Sequence, residues 1–449
     1  MKKLWIFSIL MFFGLNAWTQ SNLTLYHMKT LPQNMYANPA FTPESNLFIG
    51  VPGISSMDMG VSSNGLALRK INNAFVPIQG TDSFDLQLEE LFQVFKNNLY
   101  VNSKVNIDLI HFGFKKGKNF FTFNVTEKIK SRVDVPVELF ELVLEGNGGE
   151  NLGRTFNFNP GLDIIHSREY ALGINRSFLD DDLHIGARAK YLYGLNIIET
   201  ERSDLNFTTD EDDFSYLLNS DVKFNMASSI FSLDSFSNPD MSKMFYGAKN
   251  HGWGLDLGIE YKLNKRITLS ASIVDLGMIS WKENVRNHSS ENPNASFEFK
   301  GFDLKSVIKD SLSFTEVLEN LTDSLVEVFG LDSTAESFNT GLMSEFYLGG
   351  TYSLNHNHTA GVLLYGSFYN RKFYPAVTLS WNSRFGKLLG VSVSYSAMRD
   401  NYFNAGLGLS INGGSFQYYL VSDNLIGNTA SQIKNISIRT GFNFTFGRK

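Results

Sequence analysis

The sequence predicts an all-β chain: an antiparallel transmembrane β-barrel, whose strand number, 14 or 16, alternation alone does not fix. An N-terminal plug-like segment and one helical loop insertion accompany the barrel. Three observations carry this. Long segments alternate apolar and polar side chains, residues 2–15 have the make-up of a secretory signal, and no later apolar run is long enough for a membrane-spanning helix. A strand shows its side chains to two faces with period two, so each alternating segment has a greasy face and a polar face.

Residues 1–20 read as a cleaved signal peptide. Lys2 and Lys3 precede an apolar core from Leu4 to Leu15, and small residues follow at Ala17 and Thr19. A bilayer-spanning helix needs about 20 apolar residues, which this core lacks. The 449 residues include no cysteine, which excludes a lipid-modified N-terminal Cys, disulfides and thiolate metal sites. Any anchorage then falls to the fold itself.

Residues 21–60 form the plug-like segment. Pro32, Pro39, Pro43 and Pro52 deny it a regular central strand. Yet Tyr26, Leu31, Met35, Tyr36, Phe41, Phe48 and Ile49 are too apolar for a solvated linker. The segment is expected to fold inward or across the barrel mouth. Its turn Asn38-Pro39-Ala40-Phe41 should lie against interior residues such as Arg188 or Arg439, with Asn38 satisfying backbone or guanidinium donors.

Residues 61–449 are assigned to the barrel, and alternation is clearest in the second half. Near 183–198, Leu183, Ile185, Ala187, Ala189, Tyr191, Tyr193, Leu195 and Ile197 oppose His184, Gly186, Arg188, Lys190, Gly194 and Asn196. Near 252–263, Trp253, Leu255, Leu257, Ile259 and Tyr261 oppose Gly254, Asp256, Gly258, Glu260 and Lys262. Segments near 373–384, 388–398, 402–412 and 435–446 repeat the pattern, the last through Ile436, Ile438, Phe442, Phe444 and Phe446. Each is long enough for a tilted strand to cross the hydrocarbon, about ten residues. Asn264-Lys265, Asn355-His356-Asn357, Asn370-Arg371, Phe385-Gly386-Lys387, Arg399-Asp400 and Gly413-Gly414 read as hairpin turns. A wide meander in lipid has to close, because an open edge leaves backbone groups unpaired. A soluble β-sandwich shows the same alternation, but its strands are usually about five or six residues long.

Two regions depart from the meander. Residues 200–250 hold an acidic loop, Asp210-Glu211-Asp212-Asp213, and residues 303–330 carry apolar side chains at helical spacing. Charged residues on the polar strand face should line the lumen, since on the lipid side each costs about 2–4 kcal/mol near the midplane. They are Arg188, Lys190, Asp256, Glu260, Lys262, Arg384 and Arg439.

The element Asn38-Pro39-Ala40-Phe41, with Arg168-Glu169-Tyr170-Ala171-Leu172-Gly173, Gly186-Ala187-Arg188-Ala189-Lys190-Tyr191-Leu192-Tyr193-Gly194 and Val421-Ser422-Asp423-Asn424, resembles an uncharacterised family of outer-membrane β-barrels of Bacteroidota. It is more distantly similar to the PorV and PorP/SprF proteins of type IX secretion and to FadL-type transporters of hydrophobic compounds. The resemblance implies an outer-membrane location, and the FadL likeness implies about fourteen strands with an N-terminal plug.

Chemistry-bearing motifs are missing. The eight His residues are scattered, and no nucleotide, zinc-protease, calcium or nucleophile-elbow pattern occurs, so neither an enzyme nor a cofactor or metal site is expected. A net charge of −6 gives no reason to expect nucleic acid. Outer-membrane lipid is the expected surrounding. Two functions remain: a porin-like transporter or channel for small molecules, hydrophobic ones among them, or a structural or type IX secretion-accessory barrel that docks other envelope proteins.

Overall fold

Alternation of the kind just described closes into a ring. The computed structural model describes residues 22–63, 75–77, 84–87, 99–230, 233, 240–247, 249–292, 296–299, 328, 330–369, 372–398, 401–426 and 435–448. The signal-peptide assignment, the body of the 303–330 insertion and the turns Asn370-Arg371 and Arg399-Asp400 lie outside them. Among the described residues, 14 antiparallel strands make a closed barrel.

In chain order the wall runs as follows. β1 is split into Leu47–Gly50 and Met57–Ser63. Then come β2 (Leu99–Lys116), β3 (Asn119–Val135), β4 (Gly161–Phe178), β5 (Leu183–Thr209), β6 (His251–Lys262) and β7 (Ile267–Trp281). β8 (Ser344–Ser353), β9 (His358–Tyr369), β10 (Lys372–Phe385), β11 (Leu389–Met398), β12 (Asn401–Gly413), β13 (Phe416–Ile426) and β14 (Asn435–Phe446) complete it. Closure is through β14 on β1, with Leu47 opposite Phe446 and Met57 opposite Thr440.

The wall therefore starts at Leu47, inside the stretch that its prolines mark as irregular. Pro52 falls in the break between the two halves of β1, where it interrupts no ladder. The break stays bridged: Val51 N–H donates to Phe442 O, and Gly53 N–H donates to Asp108 O.

Turns are short at the end where β1 begins and β14 stops, as in Gly117-Lys118 between β2 and β3. Every long connection lies at the opposite end, here the loop end. There β5 continues past the ring, a 27-residue strand paired with Tyr216–Ser228, which pairs in turn with Val285–Ser290. Residues 200–250, expected to be irregular, are thus largely a hairpin extension.

The two faces divide as the alternation requires. Outward, Trp253, Leu348, Leu379 and Val393 are all more than half exposed. Inward, Ser392, Ser396, Asn404, Ser410 and Asn443 are buried. An apolar outer band over a polar interior is the division that lipid outside and protein inside demand. One strand breaks phase. A register shift opposite His166 and Ser167 inserts a bulge near Leu195 in β5. Beyond it Ile197, assigned by alternation to the outside, packs inside with Leu192, Ile279 and Trp281.

Candidate functional site: the barrel interior

The interior is occupied by the chain's own N-terminus. Residues 22–42 form two short 3-10 turns, Leu25–His27 and Pro32–Tyr36, and are not strands of the wall. Leu23, Leu25, Tyr26, Leu31, Asn38 and Ala40 have no solvent exposure. Their partners come from around the ring. Thr24 N–H donates to Asp423 of β13 at 2.7 Å, and Tyr26 meets Ser270 of β7 at 3.0 Å. Lys29 pairs with Glu260 of β6 at 2.5 Å, while Gln33 donates to Asn443 of β14 at 2.9 Å. Tyr26 also stacks on Tyr347 of β8, ring centroids 5.3 Å apart.

Burial sets the ionisation of this segment. It pushes the Tyr26 phenol up to about 12. It also holds the His27 imidazole down to about 4, against the opposing hydrogen bond to Val362 O. His27 is therefore neutral at physiological pH, and its Nε2 contacts Val362 O at 3.3 Å.

Why the turn at Asn38 to Phe41 fits is written in the wall glycines. A Cβ on Gly186 would overlap the Pro39 carbonyl, and one on Gly258 would overlap Asn38 Oδ1. With both side chains missing, the turn lies on nearly bare backbone of β5 and β6. Asn38 Nδ2 accordingly donates to Ile259 O and Ala271 O, each at 3.3 Å, and its Oδ1 accepts the Ala40 N–H at 2.9 Å. Asn175 donates to Pro39 O at 3.2 Å and also to Ala40 O. Of the two kinds of donor expected for Asn38, backbone or guanidinium, it meets the backbone one. The guanidinium groups instead face Tyr36, its ring 5.0 Å from the Arg188 guanidinium carbon and 5.6 Å from that of Arg439.

Those arginines belong to a layer of ion pairs beside the segment. Arg188 of β5 donates to Asp256 of β6 at 3.0 Å, to Glu169 of β4 at 3.2 Å and to Asn124 of β3 at 2.7 Å. Lys190 reaches Asp256 and Asp275, each at 2.5 Å, and Lys128 of β3 reaches Glu169 at 2.6 Å. A bulge in the pairing of β6 with β7 turns Asp275 inward, at φ 57°. This left-handed conformation suits a short polar side chain. Its N–H donates to Asp256 Oδ1 at 2.7 Å. Three cations thus meet three carboxylates, the balance that buried charge requires. A second cluster joins Arg439 to Asp58 at 2.7 Å and Ser56 at 2.9 Å, with Lys104 at 3.1 Å from Asp58. Tyr36 bridges the two clusters, and its hydroxyl donates to Asp108 at 2.6 Å.

Of the seven charged residues that alternation places inside, Arg188, Lys190 and Asp256 meet in the first cluster and Arg439 stands in the second. Glu260 holds Lys29. Lys262 and Arg384 are separate from these, at the mouth where the turns are short: Lys262 donates to Asp181 O at 2.6 Å, and Arg384 pairs with Glu44. Alternation did not single out Lys128, Glu169, Asp275, Asp58 or Lys104 as interior charges, and Tyr36 entered only as an apolar residue of the N-terminal segment. The alternation Lys104-Val105-Asn106-Ile107-Asp108 could have exposed part of the set. Asp275 could not have been found that way, because its bulge breaks the period.

Two cavities flank this assembly. One of about 480 Å³ opens at the short-turn mouth and is lined by His27, Met28, Lys29, Arg266, His356 and Arg384 among others. The other, of about 90 Å³, lies on the loop-end side, with Lys128 and Asp275 in its lining beside Ile165, Leu192, Ile197 and Leu342.

Several solved structures are similar to the chain at low identity. The Ralstonia pickettii toluene transporter TbuX is 10% identical over 92% of this chain and 94% of its own, with a TM-score of 0.43. A Pseudomonas aeruginosa FadL homologue is 9% identical over 96% of this chain and 100% of its own, at 0.42. The P. putida toluene transporter TodX is 11% identical over 92% and 94%, at 0.41. No curated protein matches the sequence. Residues 39–423, which hold the whole of the first ion cluster and most of the wall but stop short of Arg439, match the model of a family of unknown function, DUF5723, and the chain belongs to that family.

Proposed function

We propose that the protein is an outer-membrane channel for small molecules with a hydrocarbon body, with residues 22–42 as its plug and no catalytic role. One observation carries the reading: the segment inside the barrel is tied to the wall by side-chain hydrogen bonds, ion pairs and packing, not by strand pairing. It can leave without opening a ladder, whereas wall strands cannot. The apolar part of the loop-end cavity's lining, Ile165, Leu192, Ile197 and Leu342, supports a cargo with a hydrocarbon body. The outward band of Trp253, Leu348, Leu379 and Val393 supports lipid as the surrounding.

The test is removal of residues 22–42 and measurement of conductance in a planar bilayer. Increased conductance from a barrel that still shows a gel shift between unboiled and boiled samples is the expected result. Unchanged conductance from such a barrel overturns the reading. A second reading, a barrel that docks other envelope proteins, draws on the strand extension of β5 with Tyr216–Ser228 and Val285–Ser290. Co-purifying envelope proteins together with unchanged conductance would favour it.

A further inference from the structure

We propose that the loop-end cavity is a binding site for a short aliphatic carboxylate, whose anionic head is taken by Lys130 and Asn102. The inference deepens the channel reading and rests on it, because it names the class of cargo that pauses there.

Lys130 faces inward on β3, two residues beyond Lys128, and lines the cavity. Its neighbours of like charge are all engaged: Lys104 with Asp58, Lys128 with Glu169 and Arg132 with Asp134. Among the described residues, Lys130 has no hydrogen-bond or ion-pair partner. Asp275 and Glu345 act on it only at longer range. Asp275 is held by Lys190 at 2.5 Å, and Glu345 by the hydroxyls of Tyr347 at 2.6 Å and Tyr365 at 3.2 Å.

Asn102, on the neighbouring strand β2, is only 4% exposed and lines the same cavity. Neither its Oδ1 nor its Nδ2 has a partner among the described residues. A buried amide and an ammionium-bearing side chain left without partners cost free energy, and such groups in a folded protein call for an explanation. The two lie on adjacent rungs, with Lys104 opposite Lys130 and Arg132 opposite Asn102.

The rest of the lining sorts by height. Ile165 stands opposite Lys130, and Asp163 stands opposite Arg132, one inward position nearer the loop end. The carboxylates of the lining are occupied: Asp163 accepts the Thr200 N–H at 3.0 Å, and Glu199 accepts the Thr340 hydroxyl at 3.2 Å. Ile165, Leu192 and Ile197 form the apolar wall. A hydrocarbon would fill that wall and leave Lys130 and Asn102 unsatisfied. A carboxylate offers two acceptors to the ammonium and the amide N–H, bonds about twice as strong as neutral ones. A closed 150 Å³ cavity holds benzene, so a cavity of about 90 Å³ suits a smaller body, a chain of roughly four to six carbons.

The experiment uses the full-length barrel in detergent at neutral pH, titrated calorimetrically with pentanoate and with its uncharged counterpart pentanamide. Pentanoate should bind about tenfold or more tightly than pentanamide, the effect of a charged hydrogen-bonding pair. Lys130→Met should erase that preference, and Lys130→Arg should keep most of it, each variant first shown to be folded by its gel shift on boiling. Equal binding of the two probes, or an unchanged preference in Lys130→Met, overturns the inference. Its failure is separable from that of the channel reading. If the barrel lacking residues 22–42 conducts while pentanoate and pentanamide bind alike, the carboxylate site alone falls. If pentanoate binds through Lys130 but that barrel does not conduct, the plug and channel fall.

Discussion

Tyr36→Phe should loosen the N-terminal segment while leaving the wall intact. The ring keeps its place between the Arg188 and Arg439 guanidinium groups, 5.0 and 5.6 Å away, so only the hydroxyl is lost. That hydroxyl donates to the Asp108 carboxylate at 2.6 Å. Asp108 retains Thr126 at 2.8 Å and a longer contact to Ser55 at 3.4 Å, so it is not orphaned. A hydrogen bond to a charged group contributes about 1.5–3 kcal/mol, which is about 10- to 100-fold in the population of the undocked segment. Limited trypsin digestion of the folded barrel reads this directly. Lys29 is held against Glu260 inside the barrel and becomes a substrate only when the segment leaves. When opening is fast relative to cleavage, the rate tracks the open population. Cleavage after Lys29 should therefore accelerate by at least tenfold in Tyr36→Phe, with the gel shift on boiling preserved. Equal rates in the two proteins would refute the view that the segment is latched through Tyr36.

Two further outcomes follow from the same geometry. Leu379→Arg, on an outward position that is 57% exposed, should cost about 2–4 kcal/mol of barrel stability in lipid, measured by urea unfolding in vesicles, whereas Ser410→Asn on the inner face should leave assembly intact. Acid should loosen the segment through His27. Its pKa is near 6.5 when the segment is undocked and about 4 when buried, so docking is fully stable above the first value and weakens as pH falls between them, by about 3 kcal/mol at the limit. Conductance should rise between pH 7 and pH 4.5, and His27→Gln should flatten that rise.

The wall was legible because an apolar outer face over a polar interior imposes a period of two on every strand. β14 spans the same residues that alternation marks, and β6, β10, β11 and β12 differ from their expected bounds by about one residue, the usual disagreement at element ends. The rule fails where other parts of the chain pack against the wall. Ile197 lies beyond a bulge and inside the extension that rises past the ring, so its apolar side chain serves an interior cluster. Tyr193 and Leu195 keep the outward phase but are covered by Ile230. Once protein covers the outside, hydrophobicity no longer tells the two faces apart.

The interior was legible only in part, for a related reason. Alternation says that Arg188, Lys190 and Asp256 share a side, but pairing needs the register between strands, which no single strand encodes. Asp256 stands opposite Arg188 across β5 and β6, and Glu169 stands diagonally opposite Lys190 across β4 and β5. Asp275 joins them only because a bulge turns it inward at a left-handed φ. The segment between them has no period at all, since its short 3-10 turns follow the shape of the lumen. Its imprint is in the wall, at Gly186 and Gly258, where a side chain would collide with the Asn38-Pro39 turn. In the sequence these glycines pass for ordinary members of a polar strand face. Their meaning depends on what lies against them: a missing Cβ at these inward positions marks where one part of the chain lies flat against another.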